Sequence, residues 1–280
     1  MKFPFAALLL LLPSLSRADA PPVPPPPIIA AKTWVLVDQA SGQIITGHGA
    51  DQSVEPASLT KLMTAYAVFQ ALHSGKLKLD TLVPISEHAW RAEGSRTFLD
   101  LGTKVPVEVL LQGMIVQSGN DASIALAEAV AGTEQTFAAL MNQYAERLGM
   151  TGSHFENATG LPGANHHVTV ADMAKLARAV IREFPDYYRW YSQREFTWNG
   201  ITQANRNGLL ARDPSVDGVK TGMTDTAGYC LISSAKREGM RLVAVVVGTD
   251  SMKTREDASL VLLNYGFSFF ETRKLQAAGQ

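Results

Sequence analysis

Gly228-Tyr229-Cys230-Leu231-Ile232-Ser233-Ser234-Ala235 and Leu242-Val243-Ala244-Val245-Val246-Val247-Gly248 read as strands, and a helical pattern from Arg255 to Phe270 follows them. Gly218 to Lys220 and Glu195 to Trp198 read as further strands upstream. Near the other end, Trp34-Val35-Leu36-Val37 and Gln43-Ile44-Ile45-Thr46 flank Asp38-Gln39-Ala40-Ser41-Gly42, the pattern of a hairpin with a Ser-Gly turn. Between these ends lies a block of helical patterns: about Ser58 to Leu72, Val105 to Val116, Asp121 to Ala131, Glu134 to Leu148, and Thr169 to Glu183. Thr169, with Asp172 three residues on, caps the last of these. Strands, then helices, then strands and a final helix predict an α+β fold. The terminal strands join one antiparallel sheet with helices packed on it, and the central helices form a second lobe.

The 280 residues, 46% of them hydrophobic, suffice for one well-packed domain or two small ones. Lys and Arg number 25 against 26 Asp and Glu, a net charge of −1, and no long basic run occurs, so a nucleic-acid partner is not expected. Lys2 followed by the apolar run Phe3 to Leu12 reads as an export signal, too short to span a bilayer, with cleavage expected after Ala18. Pro21 to Pro27 is a polyproline-type spacer, and folding is expected to begin near Ala31. Cys230 is the only cysteine, so no internal disulfide exists; its apolar surroundings read as core.

Three short motifs carry the chemistry: Ser58-Leu59-Thr60-Lys61, Ser118-Gly119-Asn120 and Lys220-Thr221-Gly222. A serine hydroxyl is a poor nucleophile at neutral pH and needs a partner to accept its proton. Ser58 and Lys61, three apart at the start of a helix, share a face. A lysine serves as a base only if burial or neighbouring positive charge lowers its pKa, and Lys220 could supply that charge. The helix start also offers backbone N–H groups to a developing anion. A second S-x-x-K, Ser233 to Lys236, falls in a predicted strand, where residues three apart face opposite ways, and is set aside. Ser118 could relay a proton, and Asn120 could donate to and accept from a peptide-like substrate. Lys220 offers charge, Thr221 a hydroxyl, and Gly222 a bare backbone against which a substrate strand can lie.

S-x-x-K with an S-x-N element and K-T-G is the signature of penicillin-binding proteins and class A β-lactamases. The wording here is narrower: Pro56-Ala57-Ser58-Leu59-Thr60-Lys61-Leu62-Met63-Thr64, Ser118-Gly119-Asn120-Asp121-Ala122, Asn205-Arg206-Asn207, Asp217-Gly218-Val219-Lys220-Thr221-Gly222, and Gly266-Phe267-Ser268-Phe269-Phe270-Glu271-Thr272. From about Trp34 to Thr272 the chain resembles the D-alanyl-D-alanine carboxypeptidases, the low-molecular-mass penicillin-binding proteins of β-lactamase/transpeptidase-like fold.

The resemblance implies an acyl-enzyme on Ser58 formed with the penultimate D-Ala of a peptidoglycan stem peptide, β-lactams as covalent inhibitors, and no cofactor or metal. It implies Lys61 as proton acceptor, Ser118 and Lys220 as aids to transfer, Asn120 as peptide ligand and Thr221 as carboxylate contact. Backbone N–H groups of Ser58 and Met223 would form the oxyanion hole. Arg255 would recognise the substrate carboxylate, with Arg206 a second candidate. From the residues alone, Arg255 reads equally as an exposed arginine at a helix start.

Met223 stands where many relatives carry His, which leaves a backbone role intact and removes a side-chain one. Many relatives also continue into a β-rich domain and an amphipathic membrane anchor. This sequence stops at Gln280, and its polar end, Arg273 to Gln280, is not an anchor. The expected layout is a leader over 1–18, a linker over 19–31, a catalytic domain over 32–272 and a tail over 273–280. The location implied is the periplasm or the outer face of the cytoplasmic membrane.

Among rivals, a class A β-lactamase needs a glutamate for deacylation. Glu156-Asn157 lacks the expected Glu-x-x-Leu-Asn arrangement. A DD-endopeptidase of the same superfamily usually carries Glu where Gly119 stands. A non-catalytic wall-binding or penicillin-sensing module would not need Ser58, Lys61 and Lys220 together. His154, His166 and His167 lack metal-site spacing and read as loop residues, and neither a G-x-S-x-G elbow nor a P-loop occurs.

Overall fold

The computed structural model describes residues 22–273. The expected leader lies outside the described residues, as does nearly all of the tail.

Strand β1 (Thr33–Asp38) pairs antiparallel with β2 (Ile44–His48). Asp38 builds the turn between them: its Oδ1 accepts from both the backbone N–H and the hydroxyl of Ser41 at 2.7 Å, and Gly42 takes a φ of +80°. The chain then makes a 3-10 turn over Ala57–Thr60 before helix α1 (Lys61–His73), so the predicted helix from Ser58 opens as a tighter turn. Short strand β3 (Leu82–Pro84), helix α2 (Glu87–Trp90) and strand β4 (Lys104–Pro106) follow, β3 and β4 pairing with each other.

The helix expected over Val105 to Val116 is interrupted. Its first residues complete β4, α3 covers Val107–Gln112, and a π-helical turn covers Gly113–Gln117. Gly113 is packed on Thr97, whose Cγ2 would lie 2.5 Å from any Cβ at that position. Helices α4 (Asn120–Ala131), α5 (Glu134–Arg147), α6 (Val170–Glu183) and α7 (Pro185–Tyr188) complete the helical block. Thr169 caps α6 as read, its hydroxyl accepting from the Asp172 N–H at 3.1 Å.

Strand β5 (Glu195–Trp198) stays out of the main sheet. It pairs with β6 (Ile201–Ala204) across Asn199-Gly200, whose φ values of +49° and +74° suit a tight hairpin turn. Helix α8 (Leu209–Arg212) precedes β7 (Val216–Thr224), β8 (Gly228–Arg237) and β9 (Met240–Thr249). The last helix, α9, runs over Met252–Phe269, three residues earlier than predicted, because Ser251 caps it by accepting from the Thr254 N–H at 3.0 Å.

The five-stranded sheet has the order β2-β1-β9-β8-β7, antiparallel throughout. The unbroken apolar run Leu242 to Val247 follows from cover on both faces. Leu242, Ala244 and Val246 pack under α9 with Leu262, Leu263, Trp34 and Leu36. Val243, Val245 and Val247 face the other core with Leu176, Ala177 and Val180 of α6. That second core continues through α1, α4 and α5, so sheet and helical lobe are one packed body. Residues 22–27 of the Pro-rich segment have no regular structure and dock on α9, where the Tyr265 hydroxyl donates to Pro24 O at 3.0 Å.

Helix α9 sits close on the sheet at Gly266. A Cβ there would stand 2.5 Å from Leu242 Cδ1 and 2.9 Å from Leu36 Cδ2. Gly266→Val should push the helix off the strands and cost about 1–3 kcal/mol of stability, read as a lower midpoint in thermal unfolding. An unchanged midpoint would mean that this contact is not tight.

Candidate active site

The 3-10 turn and the first turn of α1 bring Ser58 and Lys61 together. Lys61 Nζ stands 2.9 Å from Ser58 Oγ and donates to Thr159 O at 2.6 Å. Its side chain is 1% exposed. Burial, and then the charge of Arg206, pull its pKa down to about 7, against the carboxylates of Asp121 and Glu134. The neutral amine, which has a lone pair for a proton, is therefore accessible near neutral pH. The segment 156–166 is strapped across this turn. Thr64 Oγ1 donates to Ala158 O at 2.7 Å, and His166 Nε2 lies 2.9 Å from Thr60 Oγ1. Burial pulls the His166 pKa down to about 4, so this brace is uncharged. Gly160 presses on the Ala57 carbonyl at a φ of +87°, where any Cβ would collide with that oxygen.

Ser118 follows the π-helical turn in a left-handed conformation, φ +68°, which turns the chain before α4. An αL serine is uncommon, and Asp121 is what holds this corner. Its buried carboxylate accepts from the N–H groups of Thr97 at 2.8 Å, Leu99 at 3.2 Å and Ala122 at 2.9 Å. That ties the loop around Gly94 and Ser95 to the start of α4. Asn120 completes the tie, donating from its backbone to Ser95 O at 2.7 Å and from Nδ2 to Glu93 O at 2.6 Å. Its Oδ1 is buried without a partner among the described residues. Gly119 lies against Thr97, whose backbone nitrogen would be 2.9 Å from an added Cβ and whose hydroxyl would be closer still.

Strand β7 is a sheet edge and runs beside the Ser58 turn. A Cβ on Gly222 would be 3.2 Å from Ser58 N and 3.2 Å from Ala57 Cβ, so glycine permits this approach. Lys220 Nζ donates to Ser118 Oγ and to Thr221 O, each at 3.0 Å, and is 3% exposed. Burial first, then the charges of Lys61, Arg206 and Arg255, hold its pKa well below the usual lysine value. An anion entering here would relieve that crowding of cations.

Arg255 is buried, 3% exposed, rather than exposed at a helix start. Its guanidinium donates to Gly222 O at 3.2 Å and Arg206 O at 3.3 Å, while Nε is buried with no partner among the described residues. One cavity of about 610 Å³ is lined by Ser58, Ser118, Asn120, Thr221, Gly222, Met223, Arg206 and Arg255. Lys61 and Lys220 sit behind its wall. The ten candidate residues thus converge on one site.

The set-aside pair stays apart: Ser233 is buried and Lys236 exposed on β8. Cys230 is packed under the sheet, where burial pushes its thiol up to about 11. His166 turns inward while His167 stacks against His154 with ring centres 6.3 Å apart, and among the described residues no acidic, histidine or cysteine group is placed to hold a metal ion. Glu156 holds the Asn165 backbone at 3.1 Å rather than facing Ser58. The sequence reading assigned no role to Asp121, Thr97 or the wall Thr159-Gly160-Leu161. A charged residue at the apolar start of α4 was the available signal for Asp121.

A serine beside a buried amine of lowered pKa, a second serine bonded to a lysine, and an arginine lining the same cavity suit acyl transfer from a substrate bearing a carboxylate. The comparisons agree. The family model described as D-alanyl-D-alanine carboxypeptidase matches residues 20–251. The chain is 44% identical over 264 residues to D-alanyl-D-alanine carboxypeptidase DacD of Escherichia coli (strain K12), covering 92% of this chain and 68% of that protein. Among solved structures, penicillin binding protein 6B from Escherichia coli superposes with a TM-score of 0.85 at 45% identity, over 88% of this chain and 80% of the other. Penicillin-Binding Protein D2 from Listeria monocytogenes, in its ampicillin-bound form, gives a TM-score of 0.80 at 28% identity, over 87% of this chain and 100% of the other. The chain spans about two thirds of the length of the curated relatives it matches.

Lys61 should titrate near pH 7, charged below and neutral above. Selective ¹³C labelling of lysine Cε, followed by NMR through pH 5 to 11, should show a resonance that moves near pH 7, well before the exposed lysines, and is missing in Lys61→Met. A Lys61 signal that moves only near pH 10 would rule out a neutral amine at the site.

Proposed function

The chain belongs to the D-alanyl-D-alanine carboxypeptidase family, and from that we infer that it is a serine-type carboxypeptidase removing the terminal D-Ala from peptidoglycan stem pentapeptides. The observation that carries this is the 2.9 Å contact between Ser58 Oγ and the buried amine of Lys61, beside a cavity that Ser58 and Arg255 both line.

The stem peptide lies along the free edge of β7, as an added strand would, with its N–H facing Asn120 Oδ1. Ser58 Oγ attacks the carbonyl of the penultimate D-Ala while its proton passes to Lys61 Nζ. Backbone N–H groups of Ser58 and Met223 take the charge that develops on the carbonyl oxygen. Ser118, hydrogen-bonded to Lys220, carries a proton to the departing amine. The terminal D-Ala leaves with its carboxylate held by Arg255 and Thr221, with Arg206 adding positive charge. Water then attacks the ester, Lys61 again accepting the proton, and the shortened peptide is released. A β-lactam enters the first half of this cycle, its ring carbonyl in place of the peptide carbonyl and its carboxylate on the same donors, and so labels Ser58.

The endopeptidase alternative is less favoured because a glutamate at position 119 would have to displace Thr97 and the loop that Asp121 organises. Residues 1–18 are proposed as an export leader, 19–31 as a linker and 32–272 as the catalytic domain, acting in the periplasm or at the outer face of the cytoplasmic membrane. Among the described residues, no helix is long and apolar enough to cross a membrane.

Ser58→Ala should abolish both D-Ala release from a pentapeptide and covalent labelling by fluorescent penicillin. Labelling that persists, or a penicilloyl adduct mapped elsewhere by mass spectrometry, would remove Ser58 as nucleophile. Arg255→Ala should lower kcat/KM for a free pentapeptide by about 100-fold, since it leaves a carboxylate without its charged partner. Cleavage of a cross-linked muropeptide dimer should fall much less; equal losses on the two substrates would overturn carboxylate recognition by Arg255.

A further inference from the structure

The carboxylate end of the cavity is bordered by exposed apolar side chains that the reaction above does not use. Met223 follows Gly222, whose carbonyl accepts from the Arg255 guanidinium, and is 51% exposed. Met252 is three residues before Arg255 on α9, hence on the same side of that helix, and is 60% exposed. Tyr229 pairs in register with Met223 across β7 and β8, and the Arg255 guanidinium carbon lies 5.7 Å from the centre of its ring. All of these line the one cavity. Two thioether side chains and an aromatic ring thus share the cavity lining with Arg255, and no carboxylate is among the lining residues.

A terminal D-Ala carries only a methyl group beside its carboxylate, which covers little of this surface. Exposed apolar side chains inside a ligand cavity gain by being covered, and methionines adapt to several shapes. Met223 adjoins the Gly222 carbonyl that Arg255 holds and Met252 is one turn from Arg255 on α9, so a side chain leaving the Cα next to a carboxylate on Arg255 would meet one or the other.

We propose that Met223 and Met252 form an apolar lip that sets leaving-group specificity, so that the enzyme releases larger unbranched or γ-branched apolar D-amino acids, such as D-Met and D-Leu, as well as D-Ala. This rests on the carboxypeptidase reading and extends it to the terminal side chain. Catalysis itself stays with Ser58 and Lys61; the lip acts on which residue is accepted after the scissile bond.

Pentapeptides differing only in the last residue, D-Ala, D-Met, D-Leu or D-Gln, test this, with release of the D-amino acid followed chromatographically. The wild-type protein should process D-Met and D-Leu with kcat/KM within about tenfold of D-Ala, and prefer D-Met to the similarly sized but polar D-Gln by about tenfold. The doubly substituted Met223→Ser/Met252→Ser should lower the D-Met to D-Ala ratio of kcat/KM by about tenfold, and Met252→Ser alone by less. Both positions are exposed, so circular dichroism of the variants should match wild type. The proposal is overturned if wild type processes D-Met and D-Leu more than about 100-fold more slowly than D-Ala, or if the ratio is unmoved in the double variant. If D-Ala release occurs, either of those results sinks the lip alone. Failure to release D-Ala sinks the carboxypeptidase reading and the lip with it.

Discussion

The burial of two lysine amino groups, each within 3.0 Å of a serine hydroxyl, is the constraint around which the molecule is organised. Removing an ammonium group from water is costly unless it is paired or neutralised. Neither Lys61 nor Lys220 has a salt bridge among the described residues, and both lie near Arg206. The protein resolves this by lowering their pKa values and giving their N–H groups carbonyl acceptors, Thr159 O for one and Thr221 O for the other. The outcome is an amine beside Ser58 whose neutral form, able to take a proton, is accessible near neutrality. The cost is a cluster of cations that a substrate carboxylate would stabilise, so binding and reactivity have one electrostatic origin.

Holding that arrangement requires backbone segments from distant parts of the chain to touch. The Ser58 turn is pressed between Gly222 on the edge strand and Gly160 on the opposite wall; a Cβ at Gly160 would collide with the Ala57 carbonyl, and one at Gly222 would crowd the turn at 3.2 Å. The Ser118 corner is secured through Asp121, whose carboxylate collects N–H groups from the Thr97 loop and from its own helix. Asn120 Oδ1 and Arg255 Nε are among the buried polar atoms left without a partner among the described residues. Unpaired buried polar atoms are normally avoided, and these two belong to residues that border the cavity. The rigid sheet and α9 position the arginine, while the helical lobe positions the serines, so the cleft between them inherits precision from both.

Much of this was readable before any coordinates. Alternation could not assign faces within Leu242 to Val247, since every residue there is apolar, yet the length and β-branching of the run marked it as a strand. Thr169 and Asp172 marked a helix start correctly, because capping is a local hydrogen bond between residues three apart. The errors arose where tertiary contacts override local pattern. Val105 to Val116 has helical spacing, but Gly113 must meet Thr97, and the hydrogen-bond ladder slips into a π-helical turn. Glu195 to Trp198 is a strand by composition, and nothing local showed that its partner is β6 rather than the central sheet.

What the sequence alone determined is the inventory: a nucleophile three residues from a lysine, a strand ending in Lys-Thr-Gly, and a serine-asparagine corner between helices. Spacing carries that information because a helical turn and a strand pleat each have a fixed period. The state of those groups was decided only by the tertiary structure. Whether Lys61 is charged depends on how completely it is buried and on an arginine 145 positions later in the chain. Arg255 could have been a solvated residue at a helix start until α9 docked and turned it under Gly222. Desolvation and charge proximity are properties of three-dimensional packing, and they convert a list of residues into a site that can do chemistry.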